Sequence, residues 1–293
     1  MSLLRVLATS IVLCVFSALQ LQAQKATCTN WNIWLLNPAK PSNPAAFASD
    51  VNDNRTVVGT ATFSGGKGWG FVHYSSGKVT YWRPANAYYS EFRGRNNLGN
   101  TVGNYGDTLN VPHAVYFHGS TTTLIVHPKA AHHDTFVEDI NNLNTILGKY
   151  WDSNGVSHIF KRRSDGTFLS VPSFPGTEDT TPRAFNDNGV VVGSYILAND
   201  LSPHGFIYRN GSVATLNYRN DKQVSTELTG IDNNGVVVGN HNHLGFGTGF
   251  LYRNGVFKDI FGPNGDRVEV GGISANGVIT GDDGRRGFTV RCQ

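Results

Sequence analysis

Apolar residues along this chain come in short bursts, and the residues between them are turn formers. Residues 230–239 set the pattern: Gly230 and Ile231, then Asp232, Asn233, Asn234 and Gly235, then Val236, Val237 and Val238, closed by Gly239. After a looser loop come Phe250, Leu251 and Tyr252, a second turn at Asn254 and Gly255, and a last apolar stretch over 256–260. Bursts of this length, rich in Val, Ile and aromatics and bounded by Asn, Asp and Gly, predict short β-strands. Asn-Gly and Asp-Gly pairs accept the positive φ of tight turns between antiparallel strands. The unit therefore holds four strands, A to D. Its A–B and C–D turns are tight, and its B–C and D–A loops are longer.

The unit recurs. Gly59, Gly103, Gly148, Gly193, Gly239 and Gly281 each close a ten-residue block that aligns without gaps. Asn52, Asn96, Asn141 and Asn186 fill one column of the block, with Asp232 and Ser274 in the last two units. A second column downstream reads Phe71, Val115, Phe160, Phe206, Phe250 and Phe288. No such unit can bury both faces alone, so neighbours must stack. Six units of four strands predict an all-β, six-bladed β-propeller; the alternative is an open solenoid, which needs polar caps at its ends. The ends favour the ring. The sixth unit stops after strand C, and the stretch Trp31, Asn32, Ile33, Trp34, Leu35, Leu36 stands alone before the first unit. The simplest resolution makes this N-terminal strand the missing D strand of the last blade.

Composition adds a compartment. Residues 1–23 carry Arg5, an apolar run over 6–19 and a small residue at Ala23, the layout of a secretory signal peptide. The expected organisation is a leader at 1–23 and one propeller domain at 24–293, secreted to the extracellular space or periplasm, with no membrane span once the leader is removed. Export leaves Cys28 and Cys292 as the mature cysteines. In an oxidising compartment they are expected to form a disulfide, the alternative being two separate thiols. Cys28 flanks the orphan strand and Cys292 ends the strand it would join, so the bond would clip the ring where the chain is interrupted.

The units resemble the HAF family of bacterial extracellular repeats, named for a His-Ala-Phe triplet that follows a Gly-closed Val strand. The segment 185–193 followed by His204, Gly205 and Phe206 carries the likeness, as do His113-Ala114-Val115 and His158-Ile159-Phe160. Trp69, Thr248 and Arg286 stand in the His position of the other units. The resemblance spans about residues 48–291. It implies secretion and a propeller-like array, and it brings no catalytic residues with it.

Chemistry is expected on the long-loop face, because rigid scaffolds usually carry function on their longer loops. In three units a Tyr ending strand B meets a His opening strand C: Tyr105 with His113, Tyr150 with His158, Tyr195 with His204. His241 takes the Tyr position in the fifth unit, with His243 two residues on. Such pairs suit sugar contact or acid–base catalysis. A pair repeated in three blades also reads, more plainly, as a device that closes the B–C loop. Arg93, Glu138 and Arg183 share a column of strand A and are expected to meet near the channel, as an ion-pair network or an anion site. No His spacing matches a metal motif, and no cofactor signature or nucleophile elbow is present. A formal charge of +3, with Lys161-Arg162-Arg163 as the one basic cluster, argues against a nucleic-acid partner. The expected function is a secreted binding or interaction module for a glycan or an extracellular protein. The alternatives are a polysaccharide-active, lyase-like enzyme using a Tyr/His/Arg set, and a structural envelope protein.

Overall fold

The computed structural model describes residues 24–36, 44–63, 66–172, 177–198, 200, 202–243 and 246–293, so the expected leader lies outside the described residues. The chain forms six antiparallel sheets arranged as the blades of a propeller. Blade 1 runs Ala45–Val51, Val57–Thr62, Gly68–His73 and Val79–Trp82; blade 2 runs Tyr89–Arg95, Thr101–Gly106, Pro112–His118 and Thr121–Ile125; blade 3 runs Thr135–Ile140, Ile146–Trp151, Ser157–Arg162 and Phe168–Val171. Blade 4 comprises Thr177–Phe185, Val191–Leu197, His204–Arg209 and Ser212–Thr215; blade 5 comprises Ser225–Ile231, Val237–His243, Phe246–Arg253 and Val256–Asp259. Blade 6 takes strands A to C from Glu269–Ile273, Ile279–Asp282 and Gly287–Cys292, and its D strand is Cys28–Trp34 from the N-terminus. The ring closes as the orphan strand predicts, with Cys28 directly opposite Cys292 and disulfide-bonded to it across 264 residues. Thr27 and Gln293 extend the ladder one step beyond the bond. One strand was not anticipated: Gln24–Lys25 pairs in parallel with strand D of blade 5 and gives that blade a fifth member.

Burial explains why the B strands are runs of valine rather than alternating patterns. Val57 and Val58, Val191 and Val192, and Val237 and Val238 are all inaccessible or nearly so. Each B strand has a neighbouring blade on both faces, so both of its faces need apolar side chains. Strand D of blade 2, at the rim, is exposed along most of its length. The apolar interior is accordingly divided among six clusters, each straddling one junction between adjacent blades. At the closure, Trp34 of the N-terminal strand and Val278 of blade 6 pack with Phe71, Val57 and Ala46 of blade 1.

The two repeat columns prove to be one device. Each column residue on strand C lies directly opposite an anchor glycine on strand B. The aromatic ring covers the glycine: a Cβ at Gly148 would sit 2.5 Å from the Phe160 ring and 2.3 Å from the Phe136 carbonyl. Blade 2, with Val115 in the column, fills the space with Phe92 instead. The C–D turns behave as their composition predicts, with Asn210, Gly211, Asn254 and Gly255 all at positive φ.

Candidate functional site

Each A strand contains a β-bulge. The unpaired residue is Ser49, Arg93, Glu138, Arg183, Thr229 or Gly271 in turn. A bulge re-aims a side chain out of the ladder, and here the six together line a channel cavity of about 150 Å³. The expected meeting of Arg93, Glu138 and Arg183 occurs. Arg93 donates through Nε and Nη2 to Glu138 Oε2, at 3.1 Å from Nε. Arg183 is held more loosely, 3.9 Å from the same oxygen and 3.8 Å from Glu227 Oε2. Burial opposes the Arg93 charge, but Glu138 and Glu91 outweigh it and hold the guanidinium above its usual range. The opposite wall is small and uncharged, from Ser49, Thr229 and Gly271.

The Tyr/His pairs also form. The rings of Tyr105 and His113 stack at 4.8 Å, those of Tyr150 and His158 at 5.0 Å, and those of Tyr195 and His204 tilt at 5.3 Å. Each His has a carboxylate partner that the sequence reading missed. His113 Nε2 is 3.2 Å from Asp107, His158 Nε2 2.8 Å from Asp152, and His204 Nε2 2.6 Å from Asp200. The other oxygen of each Asp caps the loop, accepting from Leu109 and Val111, from Asn154 and Val156, and from Ser202. The N–H of Val111, then His113, holds Asp107 below the usual carboxylate range; His158 does the same first for Asp152. In blades 2, 3 and 4, Asp, loop and His form one closed unit each. The signal was in the sequence: Asp107 and Asp152 each lie six residues before their His.

In blade 5 the pair is kept with its origins exchanged. His241 is buried on strand B and Tyr218, from the preceding D–A loop, stacks on it at 3.8 Å. Tyr218 donates to Asp259 at 2.6 Å, and His241 Nε2 lies 3.4 Å from the same carboxylate, close but not aligned as a hydrogen bond. The His243 side chain lies outside the described residues. His127, from another D–A loop, stacks on Tyr150 at 3.7 Å, and burial, with Lys129 and His158 nearby, pushes it down to about 4. Among the described residues no cluster of three or more His, Cys, Asp or Glu is placed to hold a metal ion.

A second axial cavity, of about 260 Å³, opens at the channel mouth on the long-loop side, where blades 5, 6 and 1 meet. Phe47 and Glu269 each stand two residues before the bulge of their A strands, one step further out than the channel ring. They line this cavity with Arg267, Asp282, Asp283 and Gly247. Phe47 is 47% exposed, which is unusual for a Phe on an inner strand. Gly247 makes room for the Glu269 carboxylate, since a Cβ there would lie 2.4 Å from Oε1. Neither axial cavity is lined by the Tyr or His of the repeated pairs.

No known family profile and no curated protein sequence matches the chain. Solved structures do. A protein provisionally assigned as a gluconolactonase superposes with a TM-score of 0.55 at 10% identity, covering 92% of this chain and 94% of its own. A gluconolactonase from Xanthomonas campestris gives 0.53 at 12%, covering 93% and 98%. The Aleuria aurantia lectin, in complex with a fucosyl-N-acetylglucosamine, gives 0.50 at 12%, covering 84% and 96%. These likenesses establish the propeller fold. No helix among the described residues is long and apolar enough to cross a membrane.

Proposed function

We propose that this protein is a secreted binding module of the HAF-repeat type that takes a neutral glycan at the mouth of its channel. The observation that carries the reading is the mouth cavity, where an exposed aromatic ring, Phe47, shares a space of about 260 Å³ with Arg267, Glu269 and Asp283. Sugar rings present an apolar C–H face and a rim of hydroxyls. An exposed aromatic meets the first, and charged donors and acceptors meet the second. The balance of charge favours a neutral ligand. Guanidinium groups are already beside carboxylates: in the channel Arg93 and Arg183 lie at Glu138, and at the mouth Asp283 is paired with Arg286. An ionic ligand has to break such a pair and leave one partner uncompensated, whereas hydroxyl groups hydrogen-bond to both without doing so. The fold serves both a lectin and a gluconolactonase, so the site and not the fold carries the choice. The Cys28–Cys292 disulfide fits an oxidising compartment.

Screening the mature protein on an array of neutral and acidic glycans tests the reading. Binding to neutral saccharides is expected, weakened at least tenfold by Phe47→Ala and by Arg267→Ala and unchanged by His113→Ala. Retention of full affinity by Phe47→Ala, or binding confined to acidic glycans, contradicts it.

A further inference from the structure

The blades differ most tellingly at the residue after the anchor glycine. In blades 2 and 5 it is Asn, and its side chain bridges to the next blade. Asn104 accepts from the Val137 N–H and donates to the Val137 carbonyl, both at 3.0 Å. Asn240 makes the same two bonds to Val270, at 2.9 Å each. In blade 6 the residue is Asp282, and its counterpart on blade 1 is Ala48. Asp282 keeps the acceptor half of the bridge, its Oδ2 taking the Ala48 N–H at 3.2 Å, and turns Oδ1 to the Gly284 N–H at 2.9 Å. When ionised, Asp282 cannot supply the proton with which the amides of blades 2 and 5 complete the bridge. The chain thus places an acid, 7% exposed, where blades 2 and 5 have a bridging carboxamide and blades 1, 3 and 4 have Thr60, Lys149 and Ser194. That exchange falls in the wall of the mouth cavity, directly across the strand pair from Glu269.

We propose that Asp282 and Glu269 are a proton-transfer pair that hydrolyses a glycosidic bond of a neutral saccharide held in the mouth cavity, an inference that rests on the glycan reading above. Cleaving an acetal at neutral pH needs one carboxyl that holds its proton and one that does not. Burial pushes Asp282 up to about 7, against the two N–H bonds it accepts, and the neighbouring Glu269 and Asp283 charges add to the rise. Glu269 is exposed. The other charged groups at the cavity are Asp283, paired with Arg286, and Arg267. In the reaction the Asp282 proton passes to the glycosidic oxygen as the bond from the anomeric carbon to that oxygen breaks. Water adds to the anomeric carbon and its proton goes to Glu269. The products are two free sugars, and solvent returns the proton from Glu269 to Asp282.

The test uses the mature protein with 4-nitrophenyl glycosides and short neutral gluco-, xylo- and chito-oligosaccharides as probes, following both binding and release of product. Asp282→Asn is expected to fold with an equal or higher melting temperature, because it restores the residue type of blades 2 and 5. It is expected to lose hydrolysis at least 100-fold while saccharide binding remains measurable. Glu269→Gln is expected to lose hydrolysis similarly. The parent rate is expected to fall as pH rises through about 7, the limb that Asp282 sets. Binding without hydrolysis by the parent, or full hydrolysis by Asp282→Asn, overturns the proposal and leaves the glycan reading standing. Absence of both binding and hydrolysis overturns the two together.

Discussion

Asn96 shows how much one residue of the repeat does. Its Oδ1 accepts from the Leu98 and Asn100 N–H groups and so builds its own A–B turn. Its Nδ2 reaches the next blade, donating to the Asn141 carbonyl at 3.0 Å and to Asn144 at 2.8 Å. Asn52 and Asn186 repeat the arrangement. Asp232 keeps the turn but has no amide to pass on. Asn96→Ala removes both functions and should cost about 1–3 kcal/mol; Asn96→Asp removes only the donors and should cost less. Urea denaturation of the two variants beside the parent checks the order. Buried carboxylates near the axis act in the opposite sense. Burial holds Asp50 up at about 7, even though it accepts the Arg95 N–H, and holds Asp139 well above the usual range, with Asp50 adding to the rise. The unfolded chain releases these protons near pH 4. Between there and about pH 7 the folded state binds more protons than the unfolded, so stability falls as pH rises. Melting temperatures should therefore be lower at pH 8 than at pH 5, and Asp50→Asn should flatten the slope. An unchanged slope would mean that Asp50 is ionised throughout.

At the level of the strand, the sequence was most legible where physics repeats. The Asn-Gly turns, valine strands and Phe column were readable because the same turn and burial problem is solved six times. So was the orphan strand that completes blade 6, because a missing element and two cysteines pointed to one place. The A-strand bulges were not readable. A bulge changes pairing without changing the hydrophobic pattern, so the column of Ser49, Arg93, Glu138, Arg183, Thr229 and Gly271 could be found by alignment while the reason it faces the channel could not. The added strand Gln24–Lys25 was hidden for a related reason: two residues carry no periodicity. For the closing strand, the chain-entropy estimate for so long a loop is about 5–6 kcal/mol. Reduction, or Cys28→Ser, should lower the melting temperature by less than that implies, since strand pairing from Cys28 to Trp34 remains. Calorimetry with and without reductant measures the difference; no change on reduction would mean that the strand alone closes the ring.

For the whole molecule, the repeat and the site stand in contrast. The Tyr, His and Asp sets occur in blades 2, 3 and 4, with a rearranged set in blade 5, and none of their Tyr or His lines the channel cavity or the mouth cavity. Asymmetry is concentrated at the axis. Blades 2 to 4 place Arg93, Glu138 and Arg183 on one side of the channel, and blades 6 and 1 place Glu269, Asp282 and Phe47 at its mouth. Sequence alignment exposes Asp282 against Asn104 and Asn240, but not the cavity that gives the exchange a meaning, because that depends on three blades converging. The most direct measurement of where ligand binds is hydrogen exchange of the mature protein with and without a saturating neutral oligosaccharide. Binding at the mouth predicts added protection in segments 45–49, 267–271 and 282–286, and none in the B–C loops that carry Asp107 and Asp152. Protection centred on those loops, with the three mouth segments unchanged, would contradict it.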